Sequence, residues 1–171
     1  DTVWKNRLTI IIQRHRSLNE RATTPILKAL NPVLWAWEQI CECPYWGKIV
    51  TVGADLYLFN GHEIAKYGAD GAWESLPCPP KPVGCYTVCA AQECIYVLGG
   101  FDGLAPDLGE VRTVQRFSCL RRQWDILPDT NSYHINSGAV EWQGKLVVAG
   151  GDDFDDQWDT EIYDPTTAEW R

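Results

Sequence analysis

Short apolar runs separated by polar turns follow one another along most of this chain, and one pattern returns four times. In each copy, an aromatic residue or leucine is followed by a polar turn and then by a tryptophan. The tryptophans that mark the copies are Trp37, Trp73, Trp124 and Trp170. Similar segments spaced by roughly 40–50 residues indicate an array of repeated units.

Each unit is predicted to contain four short antiparallel strands. The second strand is an uninterrupted apolar run that ends in glycine, as in 95–100 and 146–151. Such a run is expected for a strand that is covered on both faces. Tight turns such as Gln143-Gly144 join the first strand to the second. The terminal glycines are predicted where the chain bends or approaches a neighbouring segment closely.

The glycine pair, the following aromatic residue and the tryptophan resemble the kelch repeat over residues 29–171. Gly99-Gly100 with Phe117 and Trp124 is a good match, as is Gly150-Gly151 with Tyr163 and Trp170, whereas Asn60 replaces a glycine in an earlier copy. The resemblance implies an all-β fold, a partial kelch-type β-propeller of antiparallel four-stranded blades. The alternative is an ordinary β-sandwich. A closed propeller needs roughly 4–8 blades, and about three and a half are present, so we expect a fragment truncated at its C-terminal end.

The repeated aromatic residues are predicted to be structural. Large rings would fill the wedge between adjacent blades, where each buries roughly 150–250 Å². The residues concerned are Tyr67, Trp73, Trp124, Tyr163 and Trp170.

Residues 1–28 are predicted to form a separate lead-in with one amphipathic helix from Thr2 to about Arg21. Apolar residues there recur at three- and four-residue steps, among them Leu8, Ile11 and Ile12. Such a helix could pack on a neighbouring domain or, being basic, bind an anionic membrane or calmodulin. Residues 1–8 also resemble the closing stretch of an F-box. That resemblance implies an F-box/kelch protein, and a BTB-type kelch protein is the alternative.

Composition excludes several classes of function. The net charge of −8 makes the chain a poor nucleic-acid binder, because phosphate contacts need lysine and arginine. No apolar run reaches the roughly 18–20 residues of a membrane helix. The seven cysteines form no repeated framework, which favours a reducing compartment, the cytoplasm or nucleus. Cys41 and Cys43 lack a second pair at zinc spacing, so free buried thiols are expected there.

No catalytic, cofactor-binding or metal-binding residue is predicted. The histidines His15, His62 and His134 are scattered along the sequence. The aspartates between Asp152 and Asp159 could bind calcium, but their spacing does not fit a helix-loop-helix calcium site. Arginines around Phe117 are interpreted as charges that protect a strand edge, with an anionic-partner patch as the alternative.

The predicted partner-binding surface lies in the loops that follow two glycine pairs. Aromatic rings surrounded by carboxylates suit a basic peptide, because the rings supply buried area and the charges steer the encounter. The residues are Phe101, Asp102, Asp153, Phe154, Asp155 and Trp158.

The expected function is therefore a non-catalytic protein-protein interaction module. Resemblance to the F-box/kelch family implies the substrate-recognition part of a cullin-type ubiquitin ligase, whose adaptor would bind upstream of Asp1. The alternatives are a metal-dependent kelch-type propeller enzyme and a cytoskeletal or scaffold kelch protein.

Overall fold

The computed structural model describes residues 10–14, 25–31, 34–102, 109–151 and 159–171. Every regular element within these ranges is a β-strand. The described residues include no helix long and apolar enough to cross a membrane. The chain divides into two compact units, one of Asp1–Asn60 with Ala65–Ser75 and one of Gly61–Ile64 with Leu76–Arg171.

The first unit begins with an antiparallel sheet that corrects the predicted helix. Its strands are β1 (Ile10–Arg14), β2 (Pro25–Asn31) and β3 (Ala36–Glu42), in that order. The helix prediction is wrong at Ile10–Arg14, and the rest of the predicted helix lies outside the described residues. The physical reason is the run of three isoleucines, because β-branched side chains are restricted in a helix and favoured in strands.

A four-stranded sheet supplies most of the rest of the first unit. Its strands, in spatial order, are β4 (Lys48–Val52), β5 (Asp55–Phe59), β6 (Ile64–Tyr67) and β7 (Trp73–Leu76). The central strand β5 is buried from Leu56 to Phe59, as an apolar run covered on both faces should be. Leu56 and Leu58 join Leu27 and Cys43 in the core of this unit.

The second unit contains two more four-stranded antiparallel sheets. The third sheet has the order β13-β12-β9-β8, and the fourth has the order β14-β15-β16-β17. Their strands are β8 (Thr87–Ala91), β9 (Cys94–Leu98), β12 (Val114–Ser118), β13 (Gln123–Leu127), β14 (Gly138–Trp142), β15 (Lys145–Ala149), β16 (Thr160–Asp164) and β17 (Glu169–Trp170). A two-stranded ribbon, β10 (Phe101–Asp102) with β11 (Gly109–Glu110), lies between β9 and β12 in the sequence. Tyr96, Leu98, Leu146, Val148 and Tyr163 form the core that the two sheets share.

The repeated tryptophans occupy equivalent positions in successive sheets. Cross-strand partners are Leu30 and Trp37, Phe117 and Trp124, and Tyr163 and Trp170. The ring centroids of the last two pairs are 5.2 and 5.1 Å apart, and those of Tyr67 and Trp73 are 5.1 Å apart. The shared register supports a repeat of one structural unit, although Trp37 is 45% exposed.

Three of the indoles also make the same hydrogen bond. Each Nε1–H donates to a backbone carbonyl at or just after the end of the last strand of the preceding sheet. The pairs are Trp73 to Glu42 at 3.0 Å, Trp124 to Pro77 at 2.7 Å and Trp170 to Pro128 at 3.0 Å. These aromatic residues are structural, as the sequence predicted.

Candidate functional site

An open cavity of about 630 Å³ lies in the second unit, beside the ribbon of β10 and β11. Its lining mixes apolar side chains with a few charged or polar ones. Among the lining residues are His62, Lys81, Val83, Phe101, Asp102 and Val111. A concave surface with an apolar lining and a few polar groups is the usual form of a binding site.

One wall of the cavity is fixed by a buried glutamine. Gln115 on β12 is 1% exposed, although it is polar. Its Oε1 accepts the backbone N–H of Lys81 at 2.9 Å, and its Nε2 donates to the carbonyl of the same residue at 2.6 Å. This paired hydrogen bond holds the proline-rich segment 79–82 against the sheet and leaves the Lys81 side chain exposed.

Replacing Gln115 by alanine is expected to destabilise the protein by about 1–3 kcal/mol, since two backbone groups lose their partner. Urea denaturation measures this loss, with Gln123→Ala as the matched control because Gln123 is exposed on β13. Equal stability of the two variants would show that the Gln115 pair does not hold the wall.

The base of the cavity depends on close backbone approach. Gly84 and Phe101 exchange two backbone hydrogen bonds of 2.9 Å. A Cβ on Gly100, whose φ is +94°, would lie 2.2 Å from the Gly84 carbonyl oxygen. A Cβ on Gly61 would lie 2.0 Å from the Val83 carbonyl oxygen. Glycine is therefore required at both positions, and the sequence prediction of bends and close approach is confirmed there.

A buried polar network supports the glycine pair from the other side. The Gly100 N–H donates to the carbonyl of His134, which is fully buried. The His134 ring places Nδ1 3.0 Å from the Gly150 carbonyl oxygen and Nε2 3.1 Å from Oε1 of Glu161. Glu161 also accepts the backbone N–H groups of Asn131 and Ser132 at 2.8 Å. Both side chains are therefore structural supports of the loop 130–137.

Two of the six predicted binding residues are on this surface. Phe101 is half-buried and Asp102 is exposed, and both line the cavity from β10. Asp153, Phe154, Asp155 and Trp158 lie outside the described residues, so their placement stays a prediction.

Sequence reasoning did not find the opposite wall of the cavity. Lys81 and Val83 belong to the proline-rich segment before β8, which has no place in the repeat pattern, and His62 lies between β5 and β6. The cluster of four prolines between Pro77 and Pro82 was the available signal, because prolines mark a stiff connection rather than a strand. Lys81 and Asp102 both line the cavity, so its described lining includes a basic and an acidic side chain.

The arginines near Phe117 form contacts within the protein. Arg116 and Arg121 both pair with Asp125, at 2.8 and 2.6 Å. Arg112 donates to the carbonyl of Asn131 at 3.0 Å. Among the described residues, no group of three or more histidine, cysteine or acidic side chains could hold a metal ion. The seven cysteines all lie in the part of the chain that the structure describes, and none of them forms a disulfide.

Comparison with known proteins agrees with this repeat structure. Residues 82–131 match the family model described as Kelch motif. Kelch-like protein 23 of Mus musculus and of Homo sapiens is 28% identical over 137 residues, which is 74% of this chain and 23% of that protein. Kelch-like protein 36 of Mus musculus is 22% identical over 170 residues, which is 89% of this chain and 28% of that protein. The chain spans about a quarter of these relatives.

The solved structure of YjhT is similar in fold. Its TM-score to this chain is 0.68 at 14% sequence identity, covering 85% of this chain and 51% of that one. At this identity the likeness concerns the fold alone. Together the findings show antiparallel four-stranded sheets, a Kelch motif over residues 82–131 and similarity to Kelch-like proteins.

Proposed function

We propose that this chain is the substrate-recognition part of a cullin-type ubiquitin ligase in the cytoplasm or nucleus. The likeness to Kelch-like proteins supports the broader role of a protein-protein interaction module. The ligase role rests on the resemblance of residues 1–8 to the end of an F-box. Fold alone does not determine function, so the binding surface has to carry the argument.

The open cavity beside Phe101 is the observation that carries the interaction role. Phe101, Val83 and Val111 offer apolar surface to a partner side chain. Asp102 is exposed at the same cavity and can pair with a basic residue that follows this side chain. The substrate is therefore a protein segment with an apolar residue next to a lysine or arginine, and the acidic segment 152–158 would extend the attraction.

Replacing Phe101 by alanine is expected to weaken binding of such peptides roughly 30-fold, because a central aromatic contact contributes about 2 kcal/mol. The backbone hydrogen bonds between Gly84 and Phe101 remain in this variant, so the fold should persist. Peptides that bind the unaltered chain are first selected from a random library and divided into a basic and an acidic set. Fluorescence anisotropy then measures the affinity of each variant for both sets.

The matched control is Leu120→Ala. Leu120 is 86% exposed in the turn between β12 and β13, at the end of the third sheet away from Phe101. Asp102→Asn should weaken binding of the basic set only, and less at high salt, where exposed charges are screened. Equal affinity of Phe101→Ala and Leu120→Ala for every selected peptide would contradict this binding surface.

The ligase role is tested with the full-length protein in cells. Co-precipitation of a cullin that is lost when the region upstream of Asp1 is deleted would support a ligase receptor. Recovery of cytoskeletal proteins without a cullin would favour a scaffold. Stoichiometric copper or iron in the purified protein would favour the metal-dependent enzyme.

A further inference from the structure

Two cysteines in the first unit lie side by side on one face of the chain. Cys41 belongs to β3, and Cys43 directly follows that strand and donates its backbone N–H to the Pro25 carbonyl at 2.8 Å. Side chains two residues apart in an extended chain point to the same face. The two side chains accordingly share one cluster, in which Cys43 is buried and Cys41 packs against it.

The surroundings make the two sulfurs unequal. Cys43 is 4% exposed and packs in the core with Leu56 and Leu58. Cys41 is half-buried and packs at the edge of the same core, which also includes Tyr67 and Trp73. Cys41 is therefore the more accessible residue of the pair.

Hydrogen bonding separates the pKa values of the two thiols. The hydrogen bond from Cys43 lowers the pKa of Cys41 to about 7, against the opposing effect of burial, and Trp73 and Tyr67 lower it further. The same hydrogen bond, followed by burial, raises the pKa of Cys43. Near neutral pH, Cys41 is thus a thiolate in a large fraction of molecules while Cys43 keeps its proton. The thiolate is the nucleophilic form of cysteine.

We propose that Cys41 and Cys43 form a redox-sensitive dithiol, which hydrogen peroxide converts to an intramolecular disulfide. The Cys41 thiolate attacks one peroxide oxygen, the O–O bond breaks, and hydroxide leaves to give a sulfenic acid. The Cys43 sulfur then attacks the Cys41 sulfur, the S–O bond breaks, and the departing hydroxide takes the Cys43 proton as water. Both sulfurs are oxidised, and one peroxide is reduced to two waters once the first hydroxide takes up the proton that Cys41 released on ionising.

The spacing of the pair makes this disulfide reversible. The Cα atoms of residues i and i+2 in a strand are roughly 6.6 Å apart. This separation is near the upper end of those found in disulfides. Ring closure therefore requires adjustment at the end of β3, where Cys43 already lies outside the strand. Disulfides formed under strain are the ones that thiols reduce readily.

Thiolate content alone gives Cys41 a modest kinetic advantage. The lowered pKa raises its thiolate fraction at pH 7, and the lower intrinsic nucleophilicity of a low-pKa thiolate offsets part of this gain. The product, rather than the rate, is therefore the decisive measurement. Cys41 has a second thiol, that of Cys43, in the same cluster to convert its sulfenic acid to a disulfide.

The experiment uses the reduced 171-residue chain, treated with hydrogen peroxide, alkylated and digested with trypsin. Residues 29–48 form one tryptic peptide that contains Cys41 and Cys43 and no other cysteine. We expect this peptide to lose two hydrogens and to carry no alkyl group. It should recover both alkyl groups after treatment with dithiothreitol. The exposed cysteines Cys78 and Cys85 are on a different tryptic peptide and serve as internal controls.

Two single variants distinguish the roles of the sulfurs. In Cys43→Ser, Cys41 should accumulate as a sulfenic acid that dimedone captures. In Cys41→Ser, Cys43 should remain reduced at the same peroxide concentration. Circular dichroism confirms that both variants are folded.

The rate of disulfide formation in the unaltered chain should rise through pH 7 as Cys41 ionises. The proposal is overturned if Cys78 or Cys85 is oxidised while the peptide 29–48 keeps both alkyl groups. It is also overturned if Cys43 is oxidised in Cys41→Ser as fast as Cys41 is in Cys43→Ser.

Discussion

Replacing Glu161 by alanine is expected to lower the free energy of unfolding by about 3–5 kcal/mol, the largest change that we anticipate for a single side chain here. Glu161 is 3% exposed, and its two oxygens contact the His134 ring and the backbone N–H groups of Asn131 and Ser132. Removal of the carboxylate leaves the buried His134 ring and the part-buried backbone N–H groups of Asn131 and Ser132 without this partner. The more deeply each group is buried, the more of its desolvation cost it retains.

Equilibrium urea unfolding of Glu161→Ala and of Glu169→Ala measures this effect. Glu169 is a suitable control, because its side chain is exposed and its ion pair with Arg171 is long, at 3.5 Å. An exposed pair of this kind contributes about 0–1 kcal/mol. If the two variants lose the same stability, the Glu161 network does not hold the loop 130–137.

The Glu161 network also links stability to the candidate binding surface. The loop that it holds includes His134, whose carbonyl accepts the Gly100 N–H directly before Phe101 on β10. Loosening this loop should therefore weaken peptide binding even though Glu161 does not line the cavity. Glu161→Gln keeps the shape of the side chain but places an amide N–H₂ opposite donors, so partial loss of both properties is expected.

The strands could be predicted from the sequence where an apolar run was bounded by a recognisable turn. The strand before the predicted turn Gln143-Gly144 is β14 (Gly138–Trp142), and Tyr163 lies opposite Trp170 across the next pair of strands. The helix prediction for the lead-in was wrong at Ile10–Arg14. The apolar spacing there fits one face of a helix, whereas the isoleucine run Ile10–Ile12 favours a strand. Periodicity of short apolar segments cannot decide between these alternatives without their pairing partners.

The candidate site was predictable only in part, and for a clear physical reason. Phe101 and Asp102 directly follow a glycine pair, and the residues after such a pair were predicted to form a binding loop. The facing wall depends on Gln115 and Lys81, which are 34 positions apart and meet only after β12 is in place. A buried glutamine in a strand is a weak sequence signal, since its role is set by the backbone groups that it happens to reach.

Replacing Trp124 by alanine is expected to destabilise the protein by about 3–5 kcal/mol, toward the lower end because the indole is only half-buried. The main loss is packing against Phe117, which is fully buried. The ring centroids of Phe117 and Trp124 are 5.2 Å apart. The hydrogen bond from Nε1 to the Pro77 carbonyl is exposed, so its loss alone should cost about 1 kcal/mol.

Trp124→Phe separates the two contributions to stability. It keeps a ring against Phe117 and removes the donor, so most of the stability should remain, while Trp124→Ala loses both. Leu120→Ala, an exposed apolar truncation in the adjacent turn, controls for loss of surface area. Thermal and urea unfolding of the three variants should rank them with Trp124→Ala lowest. A loss below about 1 kcal/mol in Trp124→Ala would mean that the indole does not stabilise the third sheet by packing against Phe117, because loss of such a large packed ring cannot be so mild.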